Sequence, residues 1–124
     1  FLMAIFKDNL LYTATHDWVD IQGNTAKMGI SDYRQDGLGE LDFVNFPEVG
    51  AEVKAGEKLC ELESLKAVTD IMSPVSGKVI AINSELEYNP AAINEDAYAA
   101  WICEIEVTGK GELMDAAAYE KICE

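Results

Sequence analysis

Apolar and polar positions alternate along most of this chain, and the alternation changes period at a few places. From Trp18 to Ile30 the period is two, with Ala26, Met28 and Ile30 interleaved with Thr25, Lys27 and Gly29. This predicts a half-buried hairpin of two short strands around Gln22-Gly23-Asn24. Ser31-Asp32 then supplies a helix start, and Gly37 and Gly39 stop that helix after a turn or two. Leu41 and Phe43, alternating with Glu40 and Asp42, restore the strand period. Pro47, Gly50 and Gly56 punctuate Phe46 to Lys58, leaving turns and at most a short strand around Val53.

Two apolar-alternating arms follow. Leu59 to Ser64 approaches Lys66 and Ala67 to Met72 leaves it, with Pro74 and Gly77 ending the run. Gly56 lies ten residues before Lys66 and Gly77 eleven after it, so arms of nearly equal length put Lys66 near a hairpin tip. Lys78 to Ile82 reads as a strand with apolar residues on both faces, as in a packed sandwich. Asn83-Ser84-Glu85 and Asn89-Pro90-Ala91 open turns or short helical pieces, Pro90 suiting a first helical position. Trp101, Cys103, Ile105 and Val107 give the clearest strand. Beyond Gly111 the composition shifts to helix formers, and residues 112–124 form a C-terminal helix capped by Asp115, with Tyr119, Ile122 and Cys123 on its docking face. No repeat of about 20–50 residues is present. The pattern predicts a mainly β fold, a small antiparallel β sandwich with short peripheral helices.

Composition narrows what such a domain does. A chain of 124 residues accommodates one core and is read as a single domain, residues 1–124, with 1–10 as an N-terminal extension. A start at Phe1 suggests processing or extra upstream residues, Met3 being the candidate true start; no basic-flanked signal segment is recognisable. No apolar run approaches the roughly 18 residues that span a bilayer, so no membrane association is expected. With 23 acidic residues against 9 basic ones, the net charge of −14 repels phosphate backbones, which argues against nucleic acid. Such acidity serves solubility or steers the chain to basic partner surfaces.

Little in the chain can run chemistry unaided. Cys60, Cys103 and Cys123 are odd in number and widely spaced, which argues for reduced structural thiols and against a zinc or dithiol site. His16 is the only histidine and has no marked nucleophile beside it. Acidic pairs such as Glu61/Glu63 and Glu112/Asp115 read as solvated edges. Lys66 differs: a tip lysine is open on all sides, so an enzyme can acylate its amine and an arm can swing from it. A plain solvated turn lysine has the same address, and position alone leaves both readings open.

Glu63-Ser64-Leu65-Lys66-Ala67, followed by Asp70 and Ser73-Pro74-Val75-Ser76-Gly77, resembles the lipoylation segment of glycine cleavage H proteins. The likeness extends through Tyr12-Thr13, His16-Asp17-Trp18-Val19, Gly29-Ile30-Ser31-Asp32-Tyr33, Leu38-Gly39-Glu40, Pro47-Glu48-Val49-Gly50 and Asn94-Glu95-Asp96-Ala97-Tyr98 to Ala118-Tyr119-Glu120. It covers roughly Leu11 to Cys123, and several spaced motifs agree.

The resemblance implies a lipoyl/biotinyl-carrier fold (a barrel-sandwich hybrid) and lipoate joined to Lys66 through an amide. It implies no catalysis by the chain itself. The expected role is a shuttle in glycine catabolism and one-carbon metabolism. It would carry an aminomethyl group from a pyridoxal-phosphate glycine decarboxylase to a tetrahydrofolate-dependent aminomethyltransferase and be reoxidised by dihydrolipoamide dehydrogenase. Its location would be the cytoplasm of a bacterium or archaeon, or the mitochondrial matrix of a eukaryote. Glu63 matches the acid that precedes the modified lysine and is expected to serve recognition by the lipoylating enzyme, and Thr15, Asp17, Ile30, Leu38, Ala67 and Asp70 match a cleft that shelters the loaded arm.

The chain also departs from the pattern. Asp17 is one methylene shorter than the usual glutamate, Leu65 replaces valine, and Asp42 and Glu61 stand where apolar residues are common. Asn45-Phe46 replaces glutamate-leucine, and Ala97–Ala100 is one residue short. These differences leave, as an alternative, a specialised H-like carrier in lipoate relay or another redox pathway. A biotin carrier ranks third, because its lysine usually sits between methionines, and a non-lipoylated interaction domain that retains the fold is a reading of a different class.

Overall fold

The computed structural model describes residues 4–123; the expectations for Phe1 and Met3 fall outside them. The first hairpin forms as its alternation requires. β2 (Asp17–Gln22) pairs with β3 (Thr25–Ile30) across a turn in which Gly23 takes φ +64°, a conformation that glycine reaches without Cβ strain. β1 (Leu11–Tyr12) pairs with β2 at one edge. Ser31 then caps α1 (Asp32–Leu38), its hydroxyl accepting the Arg34 amide at 3.2 Å, and Gly39 ends the helix at φ +78°.

The remaining elements are β4 (Leu41–Asn45), β5 (Glu52–Val53), β6 (Lys58–Ser64), β7 (Val68–Met72), β8 (Val75–Ile82), α2 (Glu85–Tyr88), α3 (Ala92–Glu95), β9 (Cys103–Lys110) and α4 (Ala116–Ile122). They complete two antiparallel sheets, a six-stranded one ordered β1-β2-β3-β9-β8-β5 and a three-stranded one ordered β4-β6-β7. Met28, Ile30, Val79 and Ile105 of the larger sheet and Leu41, Val44, Leu62 and Ile71 of the smaller join one buried core. The architecture is therefore an antiparallel sandwich with peripheral helices and, among the described residues, no closed barrel.

Four local features depart from the sequence expectations. In β4 a bulge between Leu41 and Phe43 adds a residue, so Leu41 and Val44 point inward while Phe43 is 50% exposed. β8 starts at Val75, ahead of the expected Lys78, and Gly77 lies within it instead of ending the preceding run. A Cβ at Gly77 would sit 1.9 Å from the Glu106 carbonyl oxygen, so the residue marks a close strand approach. A bulge in β8 between Val79 and Ala81 leaves Ile80 partly exposed, so that strand is not packed on both faces. Pro90 lies ahead of α3 and not at its first position.

The C-terminal helix is shorter than residues 112–124. Met114 instead forms a bridge to Tyr12, and Asp115 then caps the helix by accepting the Ala118 amide at 2.8 Å. Ala116 and Tyr119 are its buried residues, while Ile122 is largely exposed, because Tyr119 stacks on Tyr12 at 4.4 Å and sets the helix's rotation. These residues form a second, smaller cluster with Leu10 and Trp18. In the Ala97–Ala100 segment Ala97 and Ala100 are buried, and the Ala97 carbonyl accepts the Trp18 indole N–H at 3.0 Å.

Candidate functional site

β6 and β7 run antiparallel to the pair Glu63–Val68, and Ser64 closes the tip beyond it. The Ser64 amide donates to the Ala67 carbonyl at 2.9 Å, and the Ser64 hydroxyl accepts the amides of Lys66 at 3.2 Å and Ala67 at 3.3 Å. One short side chain thus fixes the tip backbone. Leu65, Lys66 and Ala67 are all exposed. Lys66 makes no ion pair with any described residue, whereas Lys58 pairs with Glu61 and Asp70. The Lys66 side chain lies over the end of α1: a Cβ at Gly39 would sit 3.8 Å from its amine. Asn94 holds that floor, donating to the Gly39 carbonyl at 2.7 Å and to Gln35 at 3.0 Å. Glu63 lies between Phe43 and Val68 in one cross-strand row, so the outward turn of Phe43 at the bulge gives Glu63 an apolar neighbour on each side.

Asp17, fully buried at the start of β2, is the other chemically distinctive residue. Its Oδ2 accepts the hydroxyls of Thr15 at 2.7 Å and Thr13 at 3.1 Å, and its Oδ1 accepts Arg34 Nη1 at 3.3 Å. Burial raises its carboxyl to about 6, the Thr15 hydroxyl, Arg34 and the Thr13 hydroxyl pulling the other way. Arg34 also donates to the Thr15 carbonyl at 2.7 Å, to Thr69 Oγ1 at 2.9 Å and to the Asp70 carbonyl at 2.9 Å. Its guanidinium therefore spans from loop 13–16 to β7. Arg34 escaped the sequence reading; its one signal was being the only arginine of an acidic chain, three residues after a helix cap.

Around Arg34 the structure brings together Thr15, Asp17 and the backbone of Asp70. The Asp70 carboxylate itself turns toward Lys58 Nζ at 3.5 Å. Ile30 pairs with Asp17 across β2 and β3 and is buried in the core, Leu38 packs against the same core, and Ala67 stays at the exposed tip.

His16 is built into the scaffold at φ +68°. Its Nδ1 lies 2.8 Å from the Tyr119 hydroxyl, which also contacts Ser31 Oγ at 2.6 Å. Burial and the nearby Arg34 hold its imidazole below the ordinary range. The three cysteines are free thiols; burial raises all of them, Cys103 to about 12, which keeps them protonated and poorly nucleophilic. Among the described residues no His/Cys/Asp/Glu group has metal-site geometry, and no helix is long and apolar enough to cross a membrane.

A two-sheet sandwich that presents an exposed lysine on a fixed hairpin tip has the form of a carrier protein. Residues 10–124 match the family model described as glycine cleavage H-protein, and the chain belongs to that family, whose members are carriers and not enzymes. It is 49% identical over 120 residues to the glycine cleavage system H protein of Clostridium botulinum (strain Hall), covering 94% of this chain and 92% of the relative. It is 48% identical over 118 residues to the probable glycine cleavage system H protein of Pyrococcus abyssi, covering 91% and 88%. The crystal structure of a glycine cleavage system H protein from Mycobacterium marinum is similar at a TM-score of 0.89 and 38% identity, covering 93% of this chain and 96% of the other.

Proposed function

We propose that Lys66 carries lipoate in an amide and that the chain is the mobile substrate shared by the enzymes of glycine cleavage. Those partners are the pyridoxal-phosphate glycine decarboxylase, the tetrahydrofolate-dependent aminomethyltransferase and dihydrolipoamide dehydrogenase. The observation that carries this reading is the state of Lys66: exposed at a tip whose backbone Ser64 holds, and unpaired with any described residue. The site fits such a group because Lys66 and the flanking Leu65 and Ala67 are all exposed. When bound, lipoate supplies a dithiolane that takes up an aminomethyl group on reduction and is reoxidised afterwards. The protein supplies placement, since tethering makes each encounter local within a docked complex.

In attachment, the lone pair of the neutral Lys66 amine attacks the carbonyl of a lipoyl adenylate. The C–N bond forms, the bond from the carbonyl to the adenylate phosphate breaks, AMP leaves with the electron pair, and the amine proton passes to solvent. Glu63, two positions before the exposed tip and between two apolar neighbours, offers the lipoylating enzyme a charged handle on the approach side.

Intact mass after incubation with a lipoate-activating ligase, ATP and lipoate tests the assignment. The chain gains one lipoyl group, Lys66→Arg gains none while keeping its circular dichroism spectrum, and Glu63→Gln gains it more slowly. Arginine retains the charge but lacks an acylable amine. A lipoyl group on Lys66→Arg would overturn the assignment, and an unchanged rate for Glu63→Gln would remove the handle.

A further inference from the structure

The buried Asp17 carboxylate already has a cation. Arg34 reaches it from α1 and, with its other nitrogen, holds the Thr69 hydroxyl and the Asp70 carbonyl of β7; only 16% of its side chain is exposed. The guanidinium thus fills the space between loop 13–16 and the base of the lysine hairpin. Arg34 lies five positions before Gly39, the residue that ends α1 and beside which the Lys66 amine lies. That is about 7.5 Å along a helix axis, within reach of an acyl arm extended from Lys66.

We propose that Arg34 is a built-in occupant of an ammonium position beside Asp17, so that an amine carried on the Lys66 arm reaches Asp17 only by displacing Arg34. Arg34 thereby sets how far this chain shelters its cargo. The cargo part rests on the carrier reading; the occupancy of the position does not. The physical basis is charge balance. Both Asp17 oxygens already accept donors, and a carboxylate neutralised once offers a second cation no net attraction, while guanidinium and ammonium repel across a poorly screened interior. Displacement also requires Arg34 to give up four hydrogen bonds.

The unmodified protein tests the occupancy, with methylammonium chloride as probe and equimolar sodium chloride as reference, at pH 8. Arg34→Ala leaves Asp17 without its cation, and methylammonium raises the melting temperature of this variant by about 3 °C or more over sodium. The natural chain and Arg34→Ala/Asp17→Asn show no such difference. An equal rise in the natural chain, or none in Arg34→Ala, overturns the inference. If Arg34→Ala does not fold, Arg34→Gln, which keeps a donor toward β7, takes its place with the same expected results.

The lipoylated protein supplies a second readout. On the reduced arm, one thiol, formaldehyde and ammonia condense to an S–CH2–NH2 group with loss of one water, and mass spectrometry follows its decay. The natural chain and Asp17→Asn lose the group at the same rate, and Arg34→Ala retains it roughly tenfold longer or more, the scale of one charge-assisted hydrogen bond. A longer lifetime in the natural chain that Asp17→Asn abolishes overturns the inference. A natural chain that accepts no lipoyl group overturns the carrier reading instead, and the methylammonium experiment still decides the occupancy.

Discussion

Burial lifts the Asp17 carboxyl from 3.8 to about 6, outweighing Thr15, Arg34 and Thr13. The folded chain therefore holds the Asp17 proton more tightly than the unfolded chain. The resulting stabilisation is full below about pH 4 and is lost as pH rises through about 6, a change of about 3 kcal/mol. His16 works in the opposite direction: its imidazole is held low in the folded state, so its contribution is lost as pH falls below its ordinary range. Comparison with Asp17→Asn isolates the carboxyl. The unfolding free energy of the natural chain minus that of the variant, from urea titrations, should fall by about 2.4 kcal/mol between pH 4 and pH 7. A flat difference would show that Arg34 and the two hydroxyls fully offset the burial.

The strands owe their departures from simple alternation to bulges and close approaches, and the β4 bulge reaches the candidate site. The β4 bulge turns Phe43 outward next to Glu63, and Ser64 holds the hairpin tip that carries Lys66. In β8 the constraint is steric. Any side chain at Gly77 meets the Glu106 carbonyl oxygen at 1.9 Å from its Cβ, closer than atoms can approach. Gly77→Ala must push β8 away from β9 near Val107, at a cost of about 2 kcal/mol or more. Chemical denaturation should show this as a lower midpoint, and a midpoint within error of the natural chain would mean that the two strands part there without loss.

Across the whole molecule, two apolar clusters divide the work. The larger lies between the sheets, and the smaller joins α4 to β1 and β2 through the Tyr12–Tyr119 stack. The Tyr119 hydroxyl links α4 onward to His16 and to the α1 cap Ser31, the segments that flank Asp17 and carry Arg34. Tyr119→Phe keeps the stack and removes that link together with the hydroxyl's contact to Cys123, leaving His16 and Ser31 short of a partner, at a cost of about 1–3 kcal/mol. Urea unfolding should show a lower midpoint at an unchanged slope. An unchanged midpoint would show that α4 is held by ring packing alone.

Local rules were enough for the parts of the chain whose information is local. Period-two alternation marked β2, β3 and β9, Ser31 and Asp115 marked helix starts, and near-equal arms marked the hairpin that exposes Lys66. The resemblance of ordered motifs indicated the family, because spaced matches depend on sequence alone. What alternation could not reveal were the bulges that expose Phe43 and Ile80, since an inserted residue changes facing without changing composition. Nor could it reveal the face of α4, which the stack of Tyr119 on Tyr12 decides across more than a hundred residues of chain. Arg34 makes the same point at the site. It lies 17 residues from Asp17 and 35 from Thr69 along the chain. Only the packing of α1 between the β2 end and β7 turns three unremarkable polar residues into one buried ion-pair network, because electrostatic partners are selected by distance in space and by removal from water.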